Sequence, residues 1–163
     1  MLPAQFAKNA LPIVDLAYAA GFFDGEGHIR IQQHSARCRT FMLQVTATQA
    51  TLFPLDWFQE HFGGTVSSRL QGYRGEQRAQ YTWQASSAVA ERFLLAILPY
   101  LQVKRDEAEL ALQFRKTFRP QFGDRSRMPD SVLEERDQMR LQLQQLRKTK
   151  RQYAFRKVQE RFE

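Results

Sequence analysis

Residues 16–27, LAYAAGFFDGEG, join an apolar run of helix-forming residues to an acidic turn that contains two glycines. Ala17, Ala20 and Gly21 are spaced i, i+3, i+4, so a helix places them on one face. Side chains this small allow a second helix to approach at or below the usual separation of ~8–10 Å between helix axes. Gly25 and Gly27 in the turn permit backbone angles that other residues avoid.

The position of Glu26 is the second notable feature of this stretch. The pattern predicts a helix over residues 13–23, so Glu26 follows its C-terminus, where the helix dipole disfavours an anion. A carboxylate at such a place suggests a cation that completes the site. The alternative is a buried helix with a glycine cap and a solvated acidic turn.

Length and composition restrict the class of protein. The 163 residues suffice for one domain with a hydrophobic core. We expect no membrane segment, because no run approaches ~20 apolar residues, and no signal peptide. Cys38 is the only cysteine, which excludes an internal disulfide and a multi-cysteine zinc site. We therefore expect an intracellular protein that is not secreted.

The charge is basic and unevenly distributed. The net charge is +7, and residues 101–163 hold 16 Lys and Arg against 10 Asp and Glu, whereas residues 1–100 hold 8 against 7. This balance indicates a polyanionic partner, nucleic acid before a membrane surface. Charge that serves only solubility is the alternative.

Hydrophobic periodicity predicts the order αββαββα, an α+β fold with one four-stranded antiparallel sheet, helices on one face and the other face open. We expect one domain over residues 1–163, with a core at about 13–118 and a charged helical extension at about 130–160. The predicted elements of the core are helix 13–23, strands 28–34 and 39–48, helix 51–62, strands 65–73 and 78–85, and helices 88–98 and 103–118.

The strand segments are rich in arginine, with six in residues 28–49 and 64–85 against one acidic residue, Glu76. An open face of Arg, Gln, Thr, Ser and His supplies donors for base edges, and a β-ribbon fits the major groove of DNA. The register of strand 78–85, and so the face of Gln80, stays open. The candidates for base contact are Arg30, Gln32, His34, Thr40, Gln44, Thr46, Ser67, Arg69, Gln71 and Gln80. The candidates for phosphate contact are Arg37, Arg39, Arg74 and Arg78, and the cluster Arg147, Lys148, Lys150 and Arg151, for which a solvated helix is an equal alternative.

Residues 19–27, AAGFFDGEG, resemble the signature of the LAGLIDADG homing endonucleases, with Gly21, Asp24, Glu26 and Gly27 at the G, D, D and G of the motif. The resemblance covers roughly residues 13–118. It includes the strand end Gln44-Val45-Thr46 and the break at Gly63-Gly64. A polar side chain often follows that strand end in the family, whereas Ala47 stands here.

The chain has one copy of the motif, so the small face of the helix favours a two-fold partner. Ala17, Ala20, Gly21 and Asp24 are the predicted dimer interface, with Asp24 either fixing the helix end or bonding across the dimer. Two Glu26 carboxylates would then meet and repel each other unless a cation binds. Oxygen ligands from Glu26 and the Gly25 carbonyl suit Mg²⁺, with Mn²⁺ as a substitute.

The resemblance also implies a second catalytic residue. Lys104 matches a lysine that follows a proline and an apolar pair in single-motif members, where it lies near the attacked phosphate. His28, His34 and His61 form no compact set of metal ligands.

These features together predict a homodimeric, Mg²⁺-dependent, intron-encoded DNA endonuclease that makes a double-strand break in a long pseudo-palindromic target. Two alternatives use the same fold. One is a maturase that binds its host intron RNA, and the other is a DNA-binding protein without catalytic activity.

Overall fold

The computed structural model describes residues 11–33, 40–73, 76–118 and 128–162, and for 71–73, 76–78 and 151–162 it describes the backbone alone. The first seven elements follow the order αββαββα, which confirms the predicted fold. Two further helices follow, after a short 3₁₀ helix at Leu98–Tyr100. The elements are α1 Ile13–Glu26, β1 Gly27–Gln33, β2 Phe41–Gln49, α2 Phe53–Phe62, β3 Thr65–Tyr73, β4 Glu76–Ser86, α3 Ser87–Ile97, α4 Arg105–Lys116 and α5 Asp130–Phe162.

The four strands form one antiparallel sheet in the order β1-β2-β4-β3. Its register places Ala47 of β2 opposite both Gly27 of β1 and Trp83 of β4. Alternate residues of β1 and β2 are buried, in agreement with the predicted alternation. Trp83 is fully buried, which resolves the open register of β4: Gln80, Thr82 and Gln84 face away from the core.

Aromatic rings fill the core between the sheet and the helices. Phe93 of α3 contacts Phe23, Phe58 and Trp83 at centroid distances of 5.0, 5.6 and 4.8 Å. Such pairs contribute roughly 0.5–1.5 kcal/mol each beyond the burial of their area. Gly63 and Gly64, which end α2, both have positive φ, so the backbone there requires glycine.

Two element boundaries differ from the predictions in ways that affect the site. The first helix ends at Glu26 instead of at Phe23. Asp24, Gly25 and Glu26, which were predicted to form a turn, are therefore helical. Helix α4 begins at Arg105, with Lys104 as its N-cap residue. Ser86 is the N-cap residue of α3 and makes no side-chain capping hydrogen bond.

Helix α5 packs against α4 and β1. Leu133 and Leu143 are buried in the common core. Arg136 is only 2% exposed. Its guanidinium donates to Oγ1 and the carbonyl oxygen of Thr117, and it stacks on Phe118 at 3.7 Å. Among the described residues, no helix has the length and apolarity to cross a membrane.

Candidate functional site

The end of α1 carries the acidic part of the site. Glu26 is the last residue of α1 and is exposed, and the preceding Gly25 is exposed as well. The final carbonyl groups of a helix lack intrahelical partners and form its negative end. The carboxylate and the nearby backbone carbonyls are therefore oxygen ligands in an accessible position that favours a cation.

Gly27 is required for close packing and not for an unusual backbone angle, which corrects the sequence-based expectation. Its φ is −80°, and its N–H donates to the Phe23 carbonyl. A Cβ at this position would overlap the carbonyl oxygen and the ring of Phe23. Gly25 has open space around the site of a Cβ and lies within the helix, so it needs no special angle either.

Asp24 joins the end of α1 to the start of α4. Its Oδ2 accepts hydrogen bonds from the backbone N–H groups of Gln102 and Val103, at 2.8 and 3.1 Å. Its Oδ1 accepts from the N–H of Lys104 at 2.9 Å. Both carboxylate oxygens are thus used within the chain, an arrangement that corresponds to the first of the two roles considered for Asp24.

Lys104 lies beside the acidic end of α1. Its Nζ donates to the backbone carbonyl oxygen of Asp24. Burial lowers the pKa of Lys104, and the Asp24 carboxylate is the largest influence that opposes this shift. Glu107 and, more weakly, Glu26 act on this pKa in the same direction as Asp24.

Helix α5 contributes cations next to this site. Arg147 Nε donates to Oε2 of the buried Glu107 at 3.1 Å, and Arg147 Nη1 lies 3.3 Å from Nε2 of His28. Lys150 Nζ donates to the carbonyl oxygen of Val103 at 2.7 Å. Two members of the basic cluster are therefore held by contacts to the start of α4 or its first turn, whereas Lys148 is exposed.

The face of the sheet opposite the core is polar. Among its described side chains none is acidic, which agrees with the predicted bias of the strands. Sequence reasoning omitted several members of this face, although the burial of Trp83 fixes the alternation that includes them. From the predicted set it holds Arg30, Gln32, Gln44, Thr46, Ser67, Arg69 and Gln80; the other described members are His28, Thr48, Thr65, Thr82, Gln84, Ser86 and the apolar Met42.

Other predicted DNA-contact residues cannot all be placed. Thr40 is exposed, immediately before β2. Gln71 and Arg78 are paired in the β3–β4 ladder, but their side chains are outside the described part. His34, Arg37, Arg39 and Arg74 lie outside the described residues, and so does the side chain of Arg151.

The structure corrects the predicted dimer interface on α1 at one residue, Ala20. Ala20 is fully buried within its own chain, because it packs inward with Ala19 and Phe23. Ala17 and Gly21 are exposed, and nothing lies within 4 Å of the place that a Cβ on Gly21 would occupy. The exposed apolar residues Ile13, Val14 and Tyr18 of the same helix, 70%, 71% and 47% accessible, extend this surface.

Ala47 faces the core and is fully buried. Its side chain lies on the core side of the sheet. In the β1–β2 register Ala47 is opposite Gly27, the residue that follows Glu26. The methyl group offers no hydrogen bond there, so the departure noted in the sequence persists in the structure.

No protein-family model matches the sequence, and no curated protein matches it. Several solved structures, however, are similar to this chain. The homing endonuclease I-CvuI, in complex with its target in the presence of Ca, is 28% identical with a TM-score of 0.64, over 82% of each chain. An archaeal intron-encoded homing endonuclease complexed with DNA is 15% identical with a TM-score of 0.60, over 81% of this chain and 83% of that one.

A third neighbour is the I-SmaMI LAGLIDADG homing endonuclease bound to cleaved DNA. It is 19% identical with a TM-score of 0.52, and the match covers 76% of this chain and 41% of that one. The two neighbours below 25% identity support the fold alone. Together these structures confirm the resemblance to LAGLIDADG homing endonucleases that residues 19–27 carry.

Proposed function

We propose that this chain, which has the fold of the LAGLIDADG homing endonucleases, is a site-specific DNA endonuclease that acts as a homodimer and requires Mg²⁺. The observation that carries the proposal is the exposed Glu26 at the negative end of α1, two residues after Asp24, whose backbone carbonyl accepts from Lys104 Nζ. We further infer that residues 1–163 act as one domain, in which α5 supports the catalytic core.

The open face of the sheet is the surface for double-stranded DNA. Its amide, hydroxyl and guanidinium groups suit base edges, and the absence of acidic groups among its described side chains avoids repulsion of phosphates. Along the strand direction, the sheet extends from the level of Phe41 in β2 to the level of Glu76 in β4. The β2–β4 register makes this distance roughly 13 residues, or about 43 Å. At about 3.4 Å per base pair one subunit spans about 13 base pairs.

The dimer forms through the exposed face of α1. Val14, Ala17 and Gly21 lie on successive turns of this face, and the small residues let a second copy approach closely. An apolar helix face in solvent indicates an interaction site. A two-fold axis along this face brings the two Glu26 residues together and aligns two half-sites of one DNA target.

The residues at the end of α1 fit Mg²⁺. The Glu26 carboxylate and the Gly25 carbonyl are hard oxygen ligands, and Mg²⁺ commonly binds one or two carboxylates together with substrate phosphate. Within the described residues of one chain, no group of three or more His, Cys, Asp or Glu could hold a metal. The second Glu26 of a dimer therefore completes the ligand set. When bound, Mg²⁺ would activate water and stabilise the leaving oxygen, a role that Mn²⁺ also supports.

Lys104 supplies positive charge at the phosphate. Its Nζ is oriented by the Asp24 carbonyl, and the backbone of the same residue is fixed by the Asp24 carboxylate. This double attachment reduces the motion of the side chain before substrate binds, which is the arrangement that stabilises developing negative charge most effectively.

Glu26→Gln tests the proposal. We expect this variant to lose cleavage of target DNA in Mg²⁺ while it retains sequence-specific binding, because the amide keeps the shape but removes the charge that holds the cation. Glu60→Gln, on the exposed side of α2, is the control and should cleave normally. Cleavage by Glu26→Gln at the wild-type rate would contradict the assignment, and specific binding without any cleavage by the wild-type protein would identify a DNA-binding protein without catalytic activity.

A further inference from the structure

Arg30 and Gln44 form a cross-strand pair on the open face of the sheet. They are direct partners in the β1–β2 register. Arg30 Nε donates a hydrogen bond to Oε1 of Gln44. The two residues differ in exposure: Arg30 is exposed, whereas Gln44 is only 3% exposed although its side chain lies on the open face.

This pairing removes Gln44 from the groups that can read a base directly. A glutamine that recognises adenine uses its amide oxygen and nitrogen together, at N6 and N7 of the base. Here the amide oxygen already accepts from Arg30, and the side chain is covered. Its accessible polar surface is therefore too small for that contact.

The same hydrogen bond orients Arg30. With Nε engaged, the guanidinium presents its two terminal nitrogens as an end-on pair of donors. Two parallel donors match the O6 and N7 acceptors of guanine, whereas adenine has an N6 donor in place of O6. An arginine side chain carries about 2 kcal/mol of rotamer entropy, and a partner on the protein removes part of that cost before DNA binds.

Arg69 offers a contrast on the same face. It is exposed and lies opposite Gln80 in the β3–β4 register, and it makes no hydrogen bond or ion pair with the other residues that the structure describes. Its direction is therefore not fixed in the way that Gln44 fixes Arg30.

We propose that Arg30 reads a guanine in each half-site and that Gln44 is its positioning residue, not a base reader. This inference rests on the proposed function, because it assumes that the open face binds DNA. From the sequence, both residues were candidates for base contact. In this proposal Arg30 contacts the base and Gln44 orients Arg30.

The test is selection of bound sequences from a randomised double-stranded DNA library in EDTA, so that no DNA is cut. Arg30→Ala should lose the preference for guanine at one position of each half-site, by between about 5- and 160-fold. Gln44→Met removes the acceptor at similar volume and should weaken the preference at that same position. Gln44→Glu keeps an oxygen acceptor for Nε and should restore it, whereas a merely structural role for Gln44 predicts no such rescue at a single base pair.

Arg69→Ala is the matched control, and its effect should fall at a different position and be independent of Gln44. A change of base preference elsewhere in Gln44→Met would overturn the inference, since Gln44 would then read a base itself. If the wild-type protein enriches specific sequences but Arg30→Ala keeps the same preference for guanine, the inference is overturned as well. The proposed function would then stay intact. A wild-type protein that enriches no sequence would overturn both. Arg30 is exposed, so Arg30→Ala keeps the test decisive if Gln44→Met fails to fold.

Discussion

Asp24 and Lys104 are joined twice: the Asp24 carboxylate accepts from the Lys104 backbone N–H, and the Lys104 ammonium donates to the Asp24 backbone carbonyl. The two residues are 80 positions apart in the sequence. This double link fixes the end of α1, which carries Glu26, against the start of α4. The geometry of the proposed active site therefore depends on one aspartate that we do not expect to take part in the reaction.

Asp24→Ala should lower the free energy of unfolding by about 2–3 kcal/mol. The change leaves three backbone N–H groups at the start of α4 without their acceptor, and loss of a helix-capping side chain alone costs ~1 kcal/mol. Chemical denaturation measures the difference. Glu60→Ala, an exposed residue of α2, should stay within about 0.5 kcal/mol of the wild type. Equal stability of the two variants would show that the three hydrogen bonds contribute nothing net.

Lys104→Met should reduce the single-turnover rate of DNA cleavage by roughly 10²–10³-fold, the usual effect of removing one group that stabilises transition-state charge. Stability should fall by only about 1 kcal/mol, because the Nζ bond to the Asp24 carbonyl is lost whereas the backbone N–H bond to the Asp24 carboxylate remains. Arg105→Met is the matched control: the neighbouring side chain is half exposed and, among the described residues, forms its one ion pair with Glu109 on the surface. Similar losses in both variants would indicate a general charge effect instead of a specific role for Lys104.

The fold could be predicted because its determinants are local. The alternation of Ile29 and Ile31 with polar residues, and the glycine pair at Gly63-Gly64, each specify one element without reference to distant residues. The contacts of the site are different in kind. The link from Asp24 to residues 102–104 and the contact of Arg147 with His28 join parts of the chain whose proximity no periodicity encodes.

The end of α1 illustrates the same limit at short range. The two glycines of the DGEG run favoured a turn after Phe23, because glycine weakens a helix by about 1 kcal/mol relative to alanine. The helix continues to Glu26 nevertheless, and Asp24 is bound to the start of α4. Tertiary contacts outweigh propensity here, so sequence reasoning could not predict the local conformation at the end of α1.

Gly21→Phe should convert the proposed dimer to a monomer. In the single chain nothing lies within 4 Å of the position that its Cβ would occupy, so the subunit itself should fold normally. A phenyl ring on this face would prevent close approach of a second α1 helix. Sedimentation velocity gives the oligomeric state, and Gln113→Phe on the exposed side of α4 is the control. A Gly21→Phe protein that sediments as a dimer would place the interface elsewhere.

Arg147→Met should destabilise the protein by roughly 2–3 kcal/mol and loosen α5. The Glu107 side chain is 7% exposed and that of Arg147 18%, so removal of the cation leaves a nearly buried carboxylate whose remaining partner, Lys150 Nζ, is 3.8 Å away. Hydrogen exchange should rise in the amides of α5 between residues 133 and 150, which this pair helps to hold against α4. The Arg105–Glu109 pair on the surface of α4 provides the comparison, and Arg105→Met should change stability by less than about 0.5 kcal/mol.

The double variant Glu107→Gln with Arg147→Met separates the ion pair from its surroundings. Arg147 Nη2 is buried and has no hydrogen-bond partner among the described residues, so the wild-type pair already carries an unfavourable desolvation cost. Removal of both charges should therefore recover most of the stability that Arg147→Met loses. If the losses of the two single variants simply added, Glu107 and Arg147 would contribute independently, and the anchoring of α5 at the catalytic end would have to come from its apolar contacts through Leu143 and Leu146.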